Sequence, residues 1–307
     1  MTTTSTVPDA LVRPTGVRRQ RRDWTGWSFV APFLTVFILV FIAPLGYAIY
    51  LSLFRQQMIG GNAFVGMDNY VQLMSDASFW AGLGRVLIFL VIQVPIMLGL
   101  ALAAAFAIDS ARLHLPSFFR IMIFLPYAVP AVVAALMWGF IYGDNFGLAA
   151  NLNDLIGSKV VTPFAKSWIL VSIGNIVTWE FIGYNMLIFY SALRTIPGDL
   201  FEAAELDGAS QFQIIRSIKM PALRGSLVIT TIFSIIGSFQ IFSEPNILRP
   251  LAANVLTTDF TPNMYAYYLA FAGQQHNYSA TVAIVMGIVT AIIAYVVQLR
   301  GSREEER

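Results

Sequence analysis

Long apolar runs separated by short polar stretches dominate this chain, and their length is that of a bilayer crossing. A helix that spans a membrane needs about 20 mostly apolar residues. Six runs approach or exceed that length, at 27–53, 84–108, 118–142, 168–193, 227–242 and 280–299, the fifth being slightly short. Barrel strands would be runs of about 10 residues with alternating polarity, and these runs do not alternate. The pattern predicts an all-α integral membrane protein. Its six transmembrane helices occupy residues 26–300, between a basic disordered tail at 1–25 and a short tail at 301–307. Pro95, Pro126 and Pro130 fall inside runs and predict kinks, tolerated where neighbouring groups satisfy the freed carbonyls. No stretch suits a separate soluble domain, and no internal repeat is visible.

One segment departs from the pattern. IPGDLFEAAELDGASQFQIIRSIKMPALRG, residues 196–225, is polar, carries four carboxylates and lies between spans four and five. Pro197 and Gly198 stop span four. Asp199 and Glu202 form a D-x-x-E variant of the capping box, which predicts a short helix over 200–207 closed by Gly208 at the left-handed position. Ser210 and Gln213 form a second box, S-x-x-Q, opening another helix with Phe212, Ile215 and Ile218 on one face. Pro221 is expected to end it at Met220. Two short helices bent at a glycine result. Ala203 and Ala204 leave a smooth patch beside Glu202 and Glu205, suited to a basic groove on a partner. The alternative is a solvated loop with well-capped ends, which needs neither two boxes nor alanines.

Composition agrees with the membrane class: 57% hydrophobic and 12% charged residues, against about 25% charged in soluble domains. Cysteine is absent, which excludes disulfides, a thiolate nucleophile and thiolate-bound metal; the two histidines, His114 and His276, are far apart. A net charge of +2 is too small to imply nucleic acid, but its distribution matters. Arg13, Arg18, Arg19, Arg21 and Arg22 precede span one, and Arg112 and Arg120 follow span two. Arg194, Arg216, Lys219 and Arg224 follow span four, and Arg300, Arg303 and Arg307 follow span six. The opposite side holds only Arg55, Lys159, Lys166 and Arg249, with Arg85 at the mouth of span two. The positive-inside rule therefore places both termini and the 196–225 loop in the cytoplasm. The arginine pairs read as a topology anchor rather than a twin-arginine signal, and the first run is too long for a cleaved signal core.

The chain lacks a P-loop, H-E-x-x-H and G-x-S-x-G, and no serine in the spans has a His or Lys near enough in sequence to suggest activation. An intramembrane enzyme is thus poorly supported, and a conduit is favoured. Glu180, in VTWEFIGYN, is a carboxylate near the middle of a span and by default a functional candidate. The competing reading is a protonated or bonded side chain that holds the bundle together. Tyr184 shares its face at i+4, with Trp179, Asn175 and Asn185 nearby. Ser234 and Ser238 share a face of span five, where hydroxyl residues also serve close helix packing. Trp179, Glu180, Tyr184, Asn185 and Ser238 are the candidate solute contacts. Tyr265, Tyr267, Tyr268 and Phe271, in the loop before span six, read as interfacial anchors before ligand contacts.

The segment EAAELDGAS, with Pro221 further on, resembles the EAA signature of ATP-binding-cassette importer permeases, E-A-A-x-x-x-G followed by I-x-x-P. Glu202, Ala203, Ala204, Gly208, Ile218 and Pro221 carry the match. IPGDLFEAAELDGAS, FSEPNIL and TDFTPNMYAYYLAF are similar to segments of carbohydrate-uptake permeases, and the resemblance covers roughly residues 25–300. Met220 departs from the usual Leu before the proline, a similar apolar shape. The resemblance implies that 196–225 is a coupling helix, with Glu202, Ala203, Ala204, Asp207, Gly208, Ala209 and Pro221 at its contact with a separate ATPase. ATP and Mg then belong to that ATPase dimer and this chain binds no cofactor of its own. A second permease completes the path, and an external solute-binding protein delivers a sugar across the cytoplasmic membrane. Two rivals stand beside this: an ion-coupled secondary transporter using Glu180, and a scaffold that recruits a partner without moving solute.

Overall fold

A computed structural model describes residues 25–57, 61–110 and 113–305. The basic tail of residues 1–24 and Arg112 lie outside the described residues. The chain divides into a first unit ending at Tyr47 and a second running from Ala48.

The first unit holds most of span one. Its helix Thr25–Phe37 passes through a π-turn, Ile38–Ile42, into the helix Ala43–Ser52. Phe33, Phe37 and Phe41 recur at i+4 and stack in sequence, with ring centroids 5.9 and 5.5 Å apart.

The second unit is built on spans two and four, Ala77–Asp109 and Ile169–Leu193. They pack along their length and divide the core into two clusters. One, at the Asp109 end, joins Val94, Met97, Ala101, Ala105 and Ile108 to Met186, Phe189, Leu193 and Leu223. The other, at the Ala77 end, joins Phe79, Val86, Ile173, Ile176, Phe239, Leu248, Met264 and Val282. Helices in a bilayer gain nothing from hiding apolar surface, so close approach at small residues carries the association. Span six, within the helix His276–Glu305, packs against span five and against a surface helix, Pro262–Phe271.

Span two is one continuous helix with Pro95 inside it. Three expectations change. Span three is not a single kinked helix: Pro116–Ala128 and Ala131–Ile141 meet at 96°. Pro126 and Pro130 explain the break, because Val129, before a proline, is driven to an extended conformation, ψ 128°. Span five is helical over Arg224–Phe239, turns at residues 240–242 and resumes as Ser243–Leu248. The last helix also continues beyond residue 300, to Glu305.

The end of the bundle opposite 196–225 is tied by polar contacts. Asp76 caps span two through the N–H groups of Ser78 and Phe79, and its other oxygen accepts from Tyr265 and Tyr278 at 2.7 and 2.6 Å. Tyr268 donates to Asn246, and Arg249 donates to Tyr268 while lying over its ring. Tyr265 and Tyr268 are therefore hydrogen-bonded into the fold, while Tyr267 and Phe271 remain exposed.

Candidate functional site

The loop 196–225 forms two short helices set by its capping residues. The first is Gly198–Leu206, one to two residues earlier than the capping pattern predicts. Pro197 occupies the cap position, so Asp199 and Glu202 make no capping box; Asp199 instead lies in the first turn, where a carboxylate suits the helix dipole. The C-terminal end is a complete Schellman motif. Gly208, at φ +79°, donates its N–H to the Glu205 carbonyl, and Ala209 donates to Ala204. Ser210 then opens the second helix with the expected box: Gln213 N–H donates to Ser210 Oγ, and Ser210 N–H to Gln213 Oε1. Gln211 reaches back to Glu205.

Pro221 does not end this second helix at Met220. Gln211–Ile214 widens into a π-turn, Ile215–Lys219, and continues as Met220–Ala222. The wide turn lets Met220 N–H reach the Ile215 carbonyl and sets the chain for a residue that has no N–H of its own. Ile214 points inward, whereas Phe212 is 71% exposed and Leu206 90% exposed. Leu206, Phe212 and exposed Ala203 form an apolar surface beside exposed Glu202, Glu205 and Asp207; Ala204 and Ala209 are half-buried. At its base Lys219 pairs with Asp109, the last residue of span two, at 2.6 Å.

The second constellation surrounds a cavity of about 270 Å³ between spans two, four and five. Gln93, Tyr184, Asn185, Ser238, Gln240 and Glu244 supply its polar wall. Three of the five sequence candidates, Tyr184, Asn185 and Ser238, thus line one space. Asn185 and Ser238 are also turned to their own helices, donating to the Phe181 and Ser234 carbonyls. Tyr184 stacks on Tyr127 of the bent span at 4.9 Å. Trp179 and Glu180 are not on the wall. Trp179 packs edge-on against Trp138, and Glu180 is 4% exposed behind the cavity, with the Glu244 carboxyl nearby. Its Oε2 has no protein partner among the described residues.

Sequence reasoning missed Gln93 and Glu244. Gln93 interrupts an otherwise apolar run, a readable signal, and it donates to Thr178 across the span two–span four contact. Glu244 stands just past the fifth run, where a carboxylate reads as loop; only the turn at 240–242 folds it back to Glu180.

Among the described residues, five long apolar helices and one bent pair, an exposed polar element between spans four and five, and a buried polar cavity define a multi-pass membrane transport subunit. The chain belongs to the family described as binding-protein-dependent transport system inner membrane component, matched over residues 95–300. The lactose transport system permease protein of Rhizobium radiobacter is 31% identical over 92% of this chain and 96% of its own. The diacetylchitobiose uptake system permease protein of Streptomyces coelicolor is 28% identical over 99% and 92%. Among solved structures, a subunit of a bacterial ABC transporter that imports alginate superposes with a TM-score of 0.79, covering 92% of this chain and 96% of its own. At 18% identity that likeness speaks to the fold.

Proposed function

We propose that this chain is one half of the translocation path of an ATP-driven importer for a neutral or weakly charged oligosaccharide. The observation that carries the proposal is the element at 196–225. A Schellman turn and a capping box hold two short helices so that Leu206 and Phe212 project beside Glu202 and Glu205. Large exposed apolar groups ringed by carboxylates suit a cleft with basic walls. In this reading Glu202, Ala203, Ala204, Asp207, Gly208 and Ala209 meet a separate ATPase subunit, and Pro221 fixes the exit from the second helix. ATP and Mg are held there, and this chain supplies no ATPase site. The surplus of Lys and Arg on the same side puts the element in the cytoplasm.

A second permease completes the cavity, and an external solute-binding protein delivers the sugar. Tyr184, Asn185, Ser238, Gln93, Gln240 and Glu244 contact it, while Trp179 and Glu180 support that wall from behind. The saccharides named for the relatives support the substrate class.

The test is co-purification in detergent of the wild type, Gly208→Asp and Glu202→Arg with their native neighbours. An ATPase retained by the wild type, and either released by a variant or left hydrolysing ATP without uptake, is the expected result. Recovery of no ATPase with the wild type would overturn the proposal.

A further inference from the structure

We propose that Lys219 and Asp109 are positioning residues, forming the joint through which the cytoplasmic element moves span two. This rests on the reading of 196–225 as the ATPase-docking element and names the route by which its motion enters the bundle.

The two form an ion pair, Nζ to Oδ2 2.6 Å, with side chains only 12% and 10% exposed. The same ammonium lies 5.2 Å from the ring centre of Phe201, on the first short helix. One charged group therefore touches the first helix, belongs to the second, and grips the last residue of span two. Nearby apolar contacts, such as Leu223 against the cluster of Ala105, Ile108 and Leu193, hold the parts together. Such contacts are non-directional and let one element slide over another. A short, largely desolvated ion pair has a direction, and separating it leaves each charge without a partner. Pulling on the loop thus pulls on Asp109, and span two carries Gln93 of the cavity on the same continuous helix.

The π-turn places the joint. Lys219 is its last residue. Each residue of an α-helix advances the face by about 100°, so removing the extra residue from that turn would swing Lys219 off Asp109. Wide turns of this kind recur at functional sites.

The experiment uses the complete transporter, this chain with its native partner subunits, in proteoliposomes. The chain has no cysteine, so Ser234→Cys on the cavity wall gives a thiol without background in this subunit. Its labelling rate by a membrane-impermeant maleimide is measured with and without a non-hydrolysable ATP analogue. In the parent, nucleotide changes the rate. In Asp109→Asn and Lys219→Met the response shrinks roughly tenfold, within the usual span of coupling between sites, while the ATPase still co-purifies. Lys219→Arg and the reversed pair Asp109→Lys with Lys219→Asp restore it, which loss of folding alone would not do. An undiminished response in both single variants overturns the joint, as does a reversed pair that keeps its ATPase but stays unresponsive. A parent that holds no ATPase and ignores nucleotide overturns the docking reading together with the joint.

Discussion

Gly183 sits where span four crosses the first arm of span three, just before its bend, and a methyl group there would lie 2.1 Å from the Ile123 carbonyl oxygen and 2.6 Å from Phe124 Cα. Both obstacles are backbone, so no rotamer change relieves them. Gly183→Ala should cost about 1–3 kcal/mol, the usual range for overpacking, and separate Tyr184 from Tyr127. Gly237→Ala, with nothing within 4 Å, is the control and should be close to neutral. Thermal unfolding in detergent reads both. The same scale shows what a sequence conceals. VTWEFIGYN advertises Glu180 as the residue of interest, yet the cavity is walled by Tyr184 and Asn185, one turn further along the same helix. Glu180 is buried behind the wall, near Glu244, a neighbour that only the return of the chain after residue 239 could reveal.

At the scale of elements, local chemistry was legible wherever the instruction was local. Ser210 and Gln213 made their box and Gly208 its left-handed turn, since each needs only its near neighbours. Asp199 failed as a cap because Pro197 took that place, and Pro221 failed as a stop because a π-turn absorbed its missing N–H. Asp76 joins span two to the helix Pro262–Phe271 and to span six. Burial pushes its carboxyl up, but hydrogen bonds from Tyr278, Tyr265 and the N–H groups of Phe79 and Ser78 outweigh this and leave it below its usual range. Burial, with the hydrogen bond to that carboxylate, raises Tyr265. A lowered folded-state value contributes stability that is fully present above the unfolded value of about 3.9 and is lost as pH falls through the folded one. Melting in detergent should therefore be insensitive to this group at pH 7 and weaken below about pH 4. Asp76→Asn should lower stability by about 1.5–3 kcal/mol at pH 7, the range for bonds to a charged acceptor, and flatten that acid dependence.

For the molecule as a whole, five of the apolar runs reappear as helices long enough to cross and the third as a bent pair, while the route of the chain between them was not written there. A hydropathy pattern counts residues in hydrocarbon but does not register a 96° turn, because both arms remain apolar. The cavity has the same character: Gln93, Tyr184 and Ser238 stand on three spans, and only packing assembles them. Asn185→Leu and Ser238→Leu should leave the ATPase bound and its basal rate unchanged, yet reduce uptake of the imported sugar by about tenfold or more, since a wall built for hydroxyl groups penalises an unmatched apolar face. Transport and hydrolysis assayed side by side check this, and unchanged uptake in both variants would remove the cavity from the path.

The bend between Ala128 and Ala131 limits what can surround this subunit. Where two helices meet at 96° the ladder of backbone bonds is broken, and acyl chains offer its peptide groups neither donor nor acceptor, at several kcal/mol for each one left bare. That flank of the subunit is therefore unfit to be wetted by lipid. It requires either protein or a column of water against it, and a lone copy in a bilayer would draw one or the other to the corner before any sugar arrived.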